Sequence, residues 1–167
     1  MLTILAAASE DDKHFSDALA GVLHKHFAQH SDFMLCNIDA YNANKMDKVV
    51  AVYKSTPLKA TSFELAAFAV AVVDSQNKAL LEHVSATRLP AITCGLAARD
   101  TISLSSMTTH STVIDLRRGI TCLDNSHAEP QEIPLRTSAP IDSFLLMSAA
   151  AILILCGKID CLKEGFI

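Results

Sequence analysis

The chain has only five glycines in 167 residues, and none of them precedes Gly21. That scarcity excludes one common use of an α/β fold. A phosphate-binding turn between the first strand and the first helix needs glycines, so that backbone N–H groups can close around the anion. Here the first apolar run, Thr3 to Ala8, passes into Ser9-Glu10-Asp11-Asp12-Lys13-His14. Phosphate would meet three acids, with only Lys13 to offset them. Basic clusters are also missing. The formal charge is −4, and the only adjacent basic pair is Arg117-Arg118, which reads as solvated charge in a turn. This balance argues against a nucleic-acid surface.

Long hydrophobic runs are absent as well. The longest, Phe144 to Cys156, has 13 residues, whereas a bilayer span needs about 20. It predicts a buried helix and no membrane partner. Met1-Leu2-Thr3 lacks the basic start of a signal peptide. The five cysteines, Cys36, Cys94, Cys122, Cys156 and Cys161, are odd in number and show no C-x-x-C spacing. Cys36, Cys94, Cys122 and Cys156 lie in apolar segments, where a thiol packs as a small hydrophobe. The expectation is a soluble protein of the reducing cytoplasm.

What is present is an alternation of strands and helices. Half of the residues are apolar and 19% are charged, enough for a sizeable core in one domain spanning residues 1–167. From Asp11 to Gln29, the residues Phe15, Ala18, Leu19, Val22, Leu23 and Phe27 recur at helical spacing. Ser9 and Asp12 form a capping signal before them. Phe33–Ile38, Val49–Tyr53, Phe68–Val73 and Ala91–Cys94 read as buried parallel strands. A short helical turn at Ser62–Leu65 and a helix from Lys78 to Ser85 lie between them. After Asp100 the pattern alternates in short segments, at 101–105, 112–116, 120–123 and 132–136. These predict antiparallel strands with Arg118-Gly119 and Asp124-Asn125 in turns. A helix from Ile141 to about Cys156 closes the pattern, with Gly157 as its C-cap. The predicted fold is a three-layer, Rossmann-like α/β domain: a mostly parallel sheet with an antiparallel extension in its C-terminal half.

Several constellations carry residue types that do chemistry elsewhere. His26 and His30 are four apart on one helix face with His24 nearby, but no third ligand is evident, and they read as helix surface rather than a metal site. Ser9, Asp11 and His14 contain the residue types of a hydrolytic triad. They crowd one turn without a G-x-S-x-G elbow, and helix capping accounts for them better. Ligands in open α/β sheets bind outside the carboxyl ends of the strands. That rule selects Ser9, Asp11, Lys13 and His14 after the first strand, Asp74 after the fourth, and Thr93, Gly95 and Asp100 after the fifth. For Asp74 the structural alternative is a polar cap on the following helix. Cys94 ends a strand beside Gly95 but has no basic neighbour to activate it. No catalytic residue, metal ligand or cofactor is assigned.

The order of these elements resembles the central domain of the Mur ligases, the ATP-dependent enzymes that extend peptidoglycan stem peptides. The resemblance is carried by Ala71-Val72-Val73-Asp74-Ser75-Gln76-Asn77-Lys78-Ala79-Leu80 and by Ala91-Ile92-Thr93-Cys94-Gly95-Leu96. They are similar to the family's strand, acidic turn, helix, and strand ending in T-x-G-L. Ser148-Ala149-Ala150-Ala151 and Gly157-Lys158-Ile159 resemble its closing region. In the register of the family's G-T-N-G-K-T-T loop stands Ser9-Glu10-Asp11-Asp12-Lys13-His14-Phe15. Only Lys13 keeps its place; both glycines are gone, and His14 and Phe15 replace the hydroxyls that hold magnesium and phosphate. Equivalents of the family's catalytic acid and carbamylated lysine are not found, and 167 residues leave no room for its flanking domains. The resemblance therefore implies a non-catalytic, Mur-ligase-like cytoplasmic protein that acts by association with a partner or as a homodimer. The alternative is a small-molecule or divalent-cation binder, or an enzyme without a P-loop, using the strand ends at Asp11, Asp74, Thr93 and Asp100.

Overall fold

A computed structural model describes residues 2–7, 13–27, 33–38, 47–55, 68–108, 111–137 and 140–163. The elements follow in the order β1 (Leu2–Ala7), α1 (Lys13–His26), β2 (Phe33–Asn37), β3 (Lys48–Tyr53), β4 (Phe68–Asp74), α2 (Lys78–Thr87) and β5 (Ala91–Cys94). Then come β6 (Ile102–Met107), β7 (Ser111–Leu116), β8 (Ile120–Thr121), β9 (His127–Ala128), β10 (Gln131–Arg136), α3 (Ser143–Leu155) and α4 (Ile159–Lys163). The strands hydrogen-bond in the order β10-β7-β6-β5-β4-β3-β1-β2, an eight-stranded and mostly parallel sheet, while β8 and β9 pair separately. This is the α/β, Rossmann-like layout that the sequence pattern predicts. Two compact units divide the chain, Met1–Ile92 and Thr93–Ile167, with the boundary inside β5.

In the first unit β1 pairs in parallel with both β2 and β3, and β3 with β4. The chain thus leaves β1 for β2 on one side and continues to β3 on the other. All of β1, β3 from Val49 onward and the centre of β4 from Val70 to Val73 are buried, as parallel strands covered on both faces must be. On one face Leu5, Ala7, Val49, Ala51, Tyr53, Ala71 and Val73 pack under Leu80 and Val84 of α2, with Cys36 of β2 partly buried among them. The alternate positions, including Ile4, Val50 and Val72, belong to the opposite face. Phe33, out of phase with Cys36, shares that face and meets Phe27 at the end of α1, ring centroids 5.0 Å apart. Helix α1 therefore covers this side and buries Phe15, Leu19, Val22 and Leu23. The first unit thus has the three predicted layers.

In the second unit β6, β7 and β10 are antiparallel neighbours, and β5 and β6 pair in parallel through Cys94 and Ile102. Ile114, Leu116, Ile133 and Leu135 are buried at alternate positions while their neighbours are more exposed. A bulge between Leu104 and Ser106 interrupts the ladder. Every residue of α3 from Phe144 to Leu155 is buried, so this helix is enclosed all round. No helix among the described residues is long and apolar enough to cross a membrane. The Oδ1 of Asp142 accepts the Leu145 N–H at the start of α3, 2.8 Å away. At its end Gly157 takes φ +69°. The N–H groups of Gly157 and Lys158 close on the carbonyls of Ile154 and Leu153 at 2.9 and 2.8 Å, a Schellman cap at the predicted glycine.

The differences from the sequence reading are local. Helix α1 is described from Lys13 to His26 and has ended by Phe27, whereas Asp11, Asp12, Ala28 and Gln29 of the predicted helix lie outside the described residues. The Ser9–Asp12 cap, His30 and the turn at Ser62–Leu65 lie outside the described residues. The short elements β9 and α4 were not expected, because two and five residues carry too little periodicity.

Two glycines predict opposite effects on stability. Gly21 is exposed on α1, and a Cβ there would meet nothing within 4 Å. Gly21→Ala should therefore stabilise the protein by about 0.5–1 kcal/mol. At Gly157 the left-handed backbone disfavours any side chain, and Gly157→Ala should cost about 1 kcal/mol. Urea denaturation midpoints for the two variants should move in opposite directions.

Candidate functional site

The carboxyl edge of the first unit's sheet is built around the end of β1. The carbonyl of Ala7 accepts the N–H groups of both Lys54 and Ser55, each at 2.9 Å. The exit of β3 is thereby tied to the end of β1, where the strand order reverses and where open α/β sheets place their ligands. Ser9 and Asp11 lie outside the described residues. Lys13 opens α1; its side chain is not described. His14 is exposed in the first helical turn. The sequence reading missed Lys54, whose Nζ stands 5.0 Å from the centroid of the Phe15 ring, a cation–π contact. Its position directly after the buried run 49–53 was the available signal.

Tyr53 ends β3 and is only 1% exposed. Its ring lies 5.6 Å from that of His83 on α2. Burial pushes the phenol up to about 12 from its ordinary 10.0, because a buried phenolate loses its hydration. Burial also raises the Cys36 thiol. Toward the end of α1, His24 is exposed and its ring packs 4.9 Å from Phe33; His26 is half-buried in the last turn.

At the end of β4, Asp74 is half-buried, and its Oδ1 accepts the Gln76 N–H at 2.9 Å. Its carbonyl accepts the Asn77 N–H at 3.3 Å. The helix cap expected of Asp74 is supplied instead by Asn77, whose Oδ1 accepts the Leu80 N–H at 3.2 Å. The reason is spacing: a capping oxygen must stand two or three residues before the N–H it takes. Asp74 closes the turn that delivers Asn77 to that position.

In the second unit one turn gathers Thr93, Gly95 and Asp100. The Thr101 N–H is shared between the carbonyl and the Oγ1 of Thr93, both at 3.0 Å. The Gly95 N–H donates to the Ile102 carbonyl at 3.1 Å. Asp100 is fully buried; its Oδ2 accepts the Ala97 N–H at 2.8 Å, and its own N–H returns to the Ala97 carbonyl at 3.0 Å. Arg117 then clamps the turn, with Nη1 on the Ala97 carbonyl and Nε on Asp115 Oδ2, each at 2.7 Å. Arg117 is therefore half-buried and engaged rather than solvated, because β7 ends beside this turn. Arg118 is exposed, as expected. Leu96 protrudes from the clamped turn, 62% exposed. Among the described residues two buried oxygens, Asp100 Oδ1 and Ser103 Oγ, meet no hydrogen-bond partner. Cys94, at the end of β5, is buried.

Asp74 thus occupies a turn of its own, while Thr93 and Asp100 are brought together around another. Among the described residues no three His, Cys, Asp or Glu side chains gather as metal ligands. No protein-family model matches the chain, and no curated protein matches it.

Two measurements test this geometry. Asp100→Ala leaves the Ala97 N–H unpartnered and should destabilise the protein by about 1–3 kcal/mol. Asp100→Asn, which keeps an acceptor, should cost less. The Ala97 amide should exchange faster in the alanine variant. Tyr53 supplies the second. Until the pH nears 10 it is protonated whether the chain is folded or unfolded. Between there and about 12 only the unfolded chain ionises, so stability falls as pH rises. Tyr53→Phe should reduce that fall and remove the later tyrosinate absorbance step.

Proposed function

We propose that this is a non-catalytic, Mur-ligase-like protein of the cytoplasm that acts through protein association, first of all with a second copy of itself. The observation that carries the reading is the engagement of the polar side chains at the strand ends. Asp74 holds Gln76, Thr93 holds Thr101, and Asp100 holds Ala97. Their hydrogen bonds serve their own turns. The T-x-G-L resemblance falls on Thr93-Cys94-Gly95-Leu96 at the end of β5, and the acidic turn on Asp74 at the end of β4. Both positions suit a retained scaffold whose phosphate loop has lost its glycines. None of the five cysteines is in a disulfide, which agrees with a reducing compartment.

Support for self-association comes from β2, the last strand on its side of the sheet among those described. Its centre, Met34-Leu35-Cys36, is half-exposed and carries no charge or proline. Such an edge presents backbone groups that a second strand can pair with. At the other end of the strand order, β10 carries Glu132, Pro134 and Arg136, the residues by which proteins block edge pairing. A link to cell-wall synthesis rests on the family resemblance alone.

A second reading, a small-molecule or divalent-cation binder or an enzyme without a P-loop, draws on Asp100 Oδ1, which is buried without a partner. The two readings separate in thermal-shift measurements. ATP–Mg²⁺, UDP-sugars and divalent cations should leave the melting temperature unchanged if the protein acts by association. A shift with ATP–Mg²⁺ that disappears in Lys13→Ala would overturn that reading, and a shift with a divalent cation alone that disappears in Asp100→Asn would favour the second. Light scattering at micromolar concentration should report a dimer, weakened in Met34→Lys at unchanged circular dichroism. A monomer throughout would count against self-association.

A further inference from the structure

We draw no further inference here: the strongest candidate, the fully buried Asp100 carboxylate with its unpartnered Oδ1 in the clamped turn after β5, belongs to the site already described, and nothing in the structure shows which donor or cation would face that oxygen.

Discussion

A backbone N–H or carbonyl that leaves a buried sheet loses its ladder partner, and leaving it unmet inside the protein costs about 1–3 kcal/mol. The carboxyl edges in this protein are organised around that constraint. Ala7 takes two N–H groups from the exit of β3. Thr93, Asp74 and Asp100 each take one from their own turn, and Arg117 reaches in to hold the Ala97 carbonyl. The same accounting closes the far end of α3. There the Leu123 N–H meets the Leu155 carbonyl at 2.8 Å, beside the Schellman bonds at Gly157. These bonds matter to α3 because the last carbonyls of a helix have no intrahelical N–H to meet them.

This use of side chains bears directly on function. An open α/β sheet ordinarily reserves its carboxyl edge for ligands, with short polar side chains and bare backbone facing outward. In the turns after β4 and β5 those side chains face back into the protein's own backbone. What the surface presents instead is Leu96 on a rigid turn and the uncharged edge of β2. The edge of β2 suits the proposed association, whereas a single exposed leucine is ordinary on any protein surface. The half-buried thiol of Cys36, held protonated by its surroundings, suits packing at such an edge better than chemistry.

The periodic elements were legible from the sequence because burial on two faces leaves a plain mark. Val49–Val52 and Val70–Val73 are continuous apolar runs, and the alternation of Ile133 and Leu135 with exposed neighbours identifies a one-sided strand. Gly157 was legible as a cap for a similar reason, since it follows the last residue of a long apolar helix. The partners of the strand-end residues were not legible. Asp74 and Asn77 are both acceptable caps by residue type, and only the turn geometry hands the role to Asn77. Arg117 looked solvated because its partners, Ala97 and Asp115, are twenty and two residues away. Sequence spacing does not reveal that β7 returns beside the turn after β5. Lys54 was overlooked because a lone lysine after a strand resembles any other surface charge.

The proposed association rests on a carboxyl edge turned inward and on the uncharged edge at β2, the last strand on its side of the sheet among those described. Its most direct test is amide exchange at Met34, Leu35 and Cys36, followed by NMR or mass spectrometry as protein concentration rises from nanomolar to tens of micromolar. Association through β2 predicts that those of these amides that point away from β1 become protected with concentration while those of β10 do not change. Exchange in β2 that is independent of concentration, in a protein that light scattering shows to be dimeric, would place the contact elsewhere. The same independence in a monomer would contradict the central claim.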